Sequence, residues 1–132
     1  MPALRAFAKN EFGAAMVEFA LVVSLVFIPL VFGIIEFGRA TWAKNMITAA
    51  AREGARYAIV RAVDGTDGNA VSTYVTGRIP LSPLTVKTDW SDSVDVDPGD
   101  TVVVKVSYVY TPIVRVIPGK TLVSTSRQII AN

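Results

Sequence analysis

The longest apolar run of the chain lies near its N-terminus. From Ala14 to Ile35 the sequence has 22 residues, interrupted only by Glu18, Ser24 and Pro29. At about 1.5 Å per residue, a helix of this length spans roughly 33 Å, enough to cross a hydrocarbon core of about 30 Å. The apolar core of a cleaved secretory signal is shorter, so we predict a membrane-spanning helix that is retained.

The helical pattern continues beyond the apolar run. Small and apolar residues recur at helical spacing: Ala43, Met46, Ile47, Ala50, Gly54, Tyr57 and Ala58. We therefore predict one helix from about Glu11 to Ala62, part membrane span and part stem. Pro29 should kink or loosen it, and Gly33 nearby adds freedom.

The row formed by Ala50, Gly54 and Ala58 places small side chains on one helix face. Such a row permits close helix packing, and Gly33 offers a further close-packing position in the apolar run. Two partners for the row remain open: the protein's own C-terminal domain, or neighbouring subunits.

Residues 63–132 show the pattern of a small α+β domain. Alternating apolar and polar residues predict strands over 84–90, 101–110 and 121–130. Residues 70–78 have helical spacing, although their β-branched content favours a strand. The predicted fold class is α+β, with a long N-terminal transmembrane-plus-stem helix packed on a small three-stranded antiparallel sheet.

Two loops of this domain are candidates for contacts. The first carries Asp89, Asp92, Asp95, Asp97 and Asp100. Pro98-Gly99 predicts a type II turn with the aspartates as its solvated rim, and the spacing does not fit an EF-hand calcium loop. The second loop carries Ile113, Val114, Val116 and Ile117. It either packs under the sheet or forms a docking or membrane-contacting rim.

The charges suggest one possible subunit contact. The stem region carries Arg39, Lys44, Arg52, Arg56 and Arg61, with Glu53 as its one acid. We expect the first four of these basic residues to face Asp92, Asp95 and Asp97 of another subunit and to help set the register of assembly.

Composition excludes several classes of function. The chain has 132 residues, a net charge of +2, and neither cysteine nor histidine. It therefore lacks the commonest general base and metal ligands, and no nucleophile–base pair or Gly-rich phosphate loop is evident. The basic residues form no patch interleaved with aromatics. We predict no enzyme, no cofactor or metal, and no nucleic-acid partner.

Glu18 is an acid just inside the apolar run. A carboxylate at mid-bilayer costs about 2.5–3.5 kcal/mol, and less near the interface. Glu18 either snorkels to the headgroups or is protonated, or it meets a positive group of another chain. Cleavage after Gly13 would create such a group, the α-amino group of Ala14, one helical turn away.

These residues resemble a known pattern. Gly13, four residues, Glu18 and Phe19 resemble the processing signature of type IV prepilins. The stretches "GAAMVEFALV", "FGIIEFGR", "AAAREGARYA" and "VVVKVSYVYTP…GKTLVSTSR" resemble the TadE-like minor pilins or pseudopilins of tight-adherence systems and cover about half of the chain. Phe19 is a departure, because many tight-adherence pilins have Tyr there, but the aromatic ring is retained.

The resemblance implies a division of the chain and a set of partners. Residues 1–13 would be a leader removed by a prepilin peptidase, 14–37 the transmembrane and assembly helix, 38–62 the stem, and 63–132 the outer domain. Glu18 and Phe19 would serve assembly with other pilin subunits, as a homo- or hetero-oligomer, at a pilus assembly platform.

The resemblance also implies a location. The precursor would lie in the bacterial inner membrane with its N-terminus in the cytoplasm, although a count of Lys and Arg favours the opposite orientation. After assembly the subunit would be part of a surface pilus that supports adhesion or biofilm formation. The outer domain is larger than that of very short major pilins, which favours a minor, initiating or tip component. The alternatives are a single-span envelope protein with a ligand- or partner-binding outer domain and a type II secretion pseudopilin.

Overall fold

The structure, a computed structural model, describes the backbone of residues 3–61, 68–91, 97–113 and 118–131, with side chains from Phe12 onward. Two compact units are present, Met1–Gly38 and Arg39–Asn132, called here the N-terminal and C-terminal units. The elements are α1 (Ala3–Val22), a π-helical turn (Val23–Phe27), α2 (Ile28–Arg61), α3 (Gly68–Arg78), β1 (Leu84–Trp90), β2 (Thr101–Tyr110) and β3 (Lys120–Ile129).

The predicted α+β class is confirmed by one long apolar helix and a three-stranded antiparallel sheet. The helical pattern of residues 70–78 prevails over their β-branched content, because α3 buries Val71 and Val75 against the core. This packing outweighs a preference of a few tenths of a kcal/mol per residue.

A wide helical turn precedes Pro29. The backbone N–H of Ile28 donates to the carbonyl oxygen of Val23, five residues earlier, instead of to the residue four before it. Pro29 has no N–H, and its ring crowds the carbonyl of Leu25. The helix therefore widens over one turn and then continues, which is the loosening expected at this proline.

The apolar surface of the N-terminal unit is uncovered. Every described residue from Phe12 to Ile35 is exposed, except Val23, which is half-buried. The helical stretch Phe12–Arg61 contains an 18-residue window of mean hydropathy 2.5, none of it buried. This helix is long and apolar enough to cross a membrane.

The core of the C-terminal unit lies between the sheet and the two helices. The strand order is β1-β2-β3, and the central strand fully buries Val102, Val104 and Val106. Small and apolar side chains of α2 and α3 pack against them: Ile47, Ala50, Ala51, Ala55, Ala58, Val71 and Val75. Because α2 contributes mainly alanines, its backbone comes close to the sheet.

Gly54 is the point of closest approach in this core. A methyl group at Gly54 would lie 2.7 Å from Cγ2 of Val75 and 3.3 Å from Cγ1 of Val104. The Val75 side chain is held by a strong χ1 preference in its helix and has little freedom to move away. The row of Ala50, Gly54 and Ala58 thus serves packing within the C-terminal unit, since all three residues are buried in its core.

We expect Gly54→Ala to destabilise the C-terminal unit. Overpacking costs about 1–3 kcal/mol, whereas the helix propensity of alanine returns about 1 kcal/mol, so the net effect should be a loss. Thermal unfolding of the full chain in detergent, followed by circular dichroism, measures this loss.

Gly77→Ala is the matched control for this substitution. Gly77 lies in α3, and a methyl group there would meet nothing within 4 Å. The melting temperature of the Gly77→Ala variant should equal or exceed that of the wild type. A Gly54→Ala protein that melts at or above the wild-type temperature would show that Val75 yields and that the close approach is not a constraint.

Candidate functional site

The predicted processing and assembly residues lie together on α1. Gly13, Ala14, Glu18 and Phe19 are all helical and exposed. Ala14 and Glu18 are four residues apart in continuous helix, so they share a face. Within the described residues, Glu18 has no hydrogen bond or ion pair, and its carboxylate is therefore available to a group from outside them.

An open apolar groove runs along the helix next to this face. It is lined by Phe19, Val22, Val23, Val26, Phe27 and Leu30. The π-helical turn contributes three of these residues, so the widened backbone ahead of Pro29 helps to shape the groove. Its walls are almost entirely apolar, which suits an apolar side chain of another helix or a lipid chain.

Glu36 is a further acid of the N-terminal unit, and it was not predicted as a site residue. Only 7% of its surface is exposed, and its side chain has an interaction partner. Among the acids of this unit whose side chains the structure describes, Glu18 is the exposed one without an interaction partner.

Two of the four predicted basic contact residues are engaged within the C-terminal unit. The guanidinium of Arg39 lies 5.7 Å from the ring centroid of Tyr110, and Lys44 donates from Nζ to the carbonyl oxygen of Val123. Arg52 and Arg56 are exposed, one turn apart on α2, and pair with no carboxylate among the described residues. They are the members of the predicted set that remain available to another chain.

The aspartate-rich loop contains the expected turn. The N–H of Asp100 donates to the carbonyl of Asp97 at 3.1 Å, and Gly99 has φ of +104°, as a type II turn requires at its third position. Asp100 supports this turn, because its carboxylate accepts from the Asp97 N–H at 2.9 Å and the Ser91 hydroxyl at 3.0 Å. Among the described aspartates of the loop, Asp100 is thus structural, whereas Asp97 is exposed.

Several loop predictions fall outside the described residues. Asp92 and Asp95 lie there, as do Val114, Val116 and Ile117 of the second loop. Ile113, the described apolar residue at the start of that loop, is 57% exposed. Within the described ranges, no group of three or more acidic side chains is placed to hold a metal ion.

Four side chains form a stacked ladder between α2 and α3. The rings of Tyr57 and Tyr74 stack with centroids 4.0 Å apart and an interplanar angle of 12°. The guanidinium of Arg61 lies 5.4 Å from the Tyr57 centroid, and that of Arg78 lies 4.7 Å from the Tyr74 centroid. Because nothing fits between rings at 4.0 Å, each guanidinium covers an outer face. The order is Arg61, Tyr57, Tyr74, Arg78, and we call this the Arg–Tyr ladder.

The Arg–Tyr ladder was not predicted, although a signal for it exists. Tyr57 and Arg61 share a Tyr-x-x-x-Arg spacing with Tyr74 and Arg78, one helical turn in each case. That spacing predicts two cation–ring pairs, but not that the two rings meet.

Glu53 joins the ladder through Tyr74. The Tyr74 hydroxyl donates to Oε1 of Glu53 at 2.9 Å. This hydrogen bond, with smaller contributions from desolvation and from the charge of Glu53, raises the pKa of Tyr74 above its ordinary value, against the opposing charge of Arg78. The folded protein therefore holds the phenol proton more tightly than the unfolded chain does.

We expect this proton to make stability fall at alkaline pH. The contribution is complete below the ordinary tyrosine pKa of about 10 and is lost as pH rises through the raised pKa of Tyr74. Thermal melts across this range, together with a tyrosinate absorbance titration, measure the effect. Glu53→Gln should bring the late-titrating phenol back toward ordinary behaviour.

Tyr74→Phe and Tyr57→Phe form the comparison for this prediction. Tyr74→Phe should abolish the late-titrating phenol, whereas Tyr57→Phe should keep it. A titration in which Glu53→Gln and wild-type protein coincide would show that the hydrogen bond does not control the Tyr74 proton.

Residues 13–56 match the family model described as TadE-like protein. No curated protein and no solved structure matches the chain. The matched segment contains "GAAMVEFALV" and "FGIIEFGR" in full, whereas the sheet and all four residues of the Arg–Tyr ladder lie outside it. The TadE-like pilus family is structural rather than enzymatic. The resemblance predicted from the sequence is confirmed over residues 13–56, where the chain is similar to the TadE-like family.

Proposed function

We propose that the chain is a pilin subunit of a tight-adherence type IV pilus. It is inserted into the inner membrane as a prepilin, cut after Gly13 by a prepilin peptidase, and assembled through its N-terminal apolar helix. The observation that carries this proposal is the exposed, unengaged Glu18 on an uncovered apolar helix, one turn from Ala14.

Cleavage supplies the charge that Glu18 lacks. The new α-amino group of Ala14 supplies a cation close to Glu18. On one helix, Ala14 and Glu18 lie a turn apart, and between staggered helices the amine of one subunit meets Glu18 of the next.

Assembly exchanges one apolar environment for another. Lipid chains and the side chains of neighbouring helices are about equally apolar, so burial alone does not drive the subunit out of the bilayer. Close packing along the groove beside Phe19 and neutralisation of Glu18 supply the preference for the filament. The pilus assembly platform brings the helices together, and other pilin subunits are the packing partners.

The orientation follows from the processing step. A peptidase acting at the cytoplasmic face requires the leader to lie inside and the C-terminal unit outside. The assembled subunit is then exposed at the cell surface, where it supports adhesion or biofilm formation. With a C-terminal unit of this size, the chain is a minor, initiating or tip component.

Charged groups of the C-terminal unit set the register between subunits. Arg52 and Arg56 project from α2 without partners among the described residues, and the exposed Asp97 lies at the type II turn. Arg39 and Lys44, which the sequence assigned to the same contact, are already engaged within their own unit and contribute less. Asp92 and Asp95 belong to the proposed acidic side of the contact.

Processing is tested by intact-mass analysis of the membrane-extracted protein, expressed with and without a prepilin peptidase. We expect a mature chain that begins at Ala14 only when the peptidase is present. Gly13→Val should remain uncut, because a side chain there obstructs the approach of the peptidase. Gly33→Val is the matched control, since both glycines are helical with open space around them, and it should be cut normally. A wild-type chain that still starts at Met1 or Pro2 in the presence of the peptidase would refute the proposal.

The same strains test the role of Glu18. Glu18→Ala should insert into the membrane and be cut, yet enter filaments at least about tenfold less, the factor that 1.4 kcal/mol represents. Ser24→Ala changes a polar residue of the same helix and should assemble normally. Incorporation of Glu18→Ala at the wild-type level would rule out the charge pairing while leaving the processing result intact.

The register contact predicts a dependence on salt. Arg52→Gln combined with Arg56→Gln should weaken subunit association and flatten its dependence on ionic strength, because the screening length is about 8 Å at physiological salt. Lys87→Gln combined with Lys105→Gln removes the same charge from the exposed sheet face and is the control. Association is measured by crosslinking across a salt series. Equal association of the two double variants at every salt concentration would contradict the contact.

A further inference from the structure

The Arg–Tyr ladder lies at the edge of the hydrophobic core, against which both tyrosines pack, and the proposed assembly contact does not use it. Arg61 and Arg78 are exposed, and both tyrosines are only half-buried. We propose that the ladder is a binding site for an acidic polysaccharide, whose carboxylates are held by the two guanidinium groups. This inference goes beyond the proposed function, because it requires neither processing nor polymerisation.

The first argument is preorganisation. A guanidinium lying over an aromatic ring keeps its N–H donors in its own plane, where they can form two parallel bonds to a carboxylate. The stack holds Arg61 and Arg78 in place, so less side-chain freedom is lost when a ligand binds.

The second argument is that neither guanidinium is paired with a carboxylate within the described ranges. Among the described residues, no carboxylate pairs with Arg61 or Arg78, and the nearest acid of the ladder, Glu53, accepts from the Tyr74 hydroxyl. The described residues of this surface thus carry two cations and one carboxylate, a net attraction for an anion.

The third argument concerns the class of anion. Each tyrosine has one face covered by the other ring and one by a guanidinium, so no face is left for a nucleobase to stack on, as single-stranded nucleic acids require. Duplex DNA carries a charge about every 1.7 Å, and this density would crowd phosphates against Glu53. A polymer with sparser carboxylates reaches both ends of the stack and places hydroxyl groups beside Glu53 and the Tyr57 phenol. These are the properties of an acidic polysaccharide.

Binding is tested with the full, unassembled chain in neutral detergent micelles and fluorescently labelled polygalacturonate, followed by anisotropy. We expect saturable binding that weakens with salt. Arg61→Gln combined with Arg78→Gln should reduce affinity by about tenfold or more, since two charge-assisted bidentate contacts are lost. Lys87→Gln combined with Lys105→Gln is the matched control, because it removes the same charge from exposed positions of the sheet, and it should alter affinity less than about twofold.

A second double variant separates geometry from charge. Arg61→Lys combined with Arg78→Lys keeps both charges but removes the planar forks, and we expect a loss of about fivefold or more. Because lysine still covers a ring, this variant also serves if the glutamine pair fails to fold. Thermal melts confirm that each variant is folded at the temperature of the binding measurement.

The outcomes that overturn the inference are distinct. Absence of saturable binding by the wild-type chain refutes the site. Equal losses of affinity in the two double-glutamine variants show diffuse attraction to positive charge. Wild-type affinity of the variant with Arg61→Lys and Arg78→Lys shows that the forked geometry is not used. Tighter binding of duplex DNA or polyphosphate than of polygalacturonate refutes the ligand class, and equal binding of neutral dextran refutes the role of charge. None of these results depends on cleavage at Gly13, so the proposed function is tested separately.

Discussion

The apolar helix surface from Phe12 to Ile35 is left uncovered by the described part of the chain, and this constraint governs how the protein can exist. Each large side chain there would gain about 1.5–3 kcal/mol from leaving water, so this segment needs lipid or other helices around it. Either environment satisfies the apolar side chains equally well. The choice between them therefore falls to the few features that are not simply apolar: Glu18, the groove at the π-helical turn, and Pro29, which shapes that turn.

In the C-terminal unit, the same helix packs against other elements of the chain. Its share of α2 presents alanines and Gly54 to the sheet and α3, so the helix comes close enough for Val75 to touch the glycine backbone. Because these small residues pack within the unit, only the remaining surface of α2 is available to other chains. The buried arc of α2 is occupied, and the outward face carries Arg52 and Arg56. Contacts of this part with another chain are therefore expected to be polar and sensitive to salt, unlike those of the apolar run.

Sequence periodicity determines which face of an element is buried, and this is what could be predicted. The three strands, the type II turn at Gly99 and the loosened helix at Pro29 all follow from local rules that need no knowledge of the partner surface. What could not be predicted depends on which surfaces meet. Lys44 bonds to the β3 backbone, and Tyr57 stacks on Tyr74 only because α3 crosses α2 near Gly54. Glu36 and Glu18 are both acids beside apolar residues, yet one is buried and the other is exposed.

The two proposed contacts of the C-terminal unit lie on different parts of α2, which bears on whether they compete. Tyr57 follows Arg56 directly and is rotated from it by about 100° around the helix axis. The Arg–Tyr ladder and the Arg52–Arg56 pair therefore face different directions. The ladder also lies at the C-terminal end of α2, with Arg61 about 33 Å along the helix from Arg39. A subunit held by its neighbours through the apolar run and the arginine pair would keep the ladder open. Polysaccharide binding is thus compatible with assembly, and each copy in a filament would add a weak site to a multivalent surface.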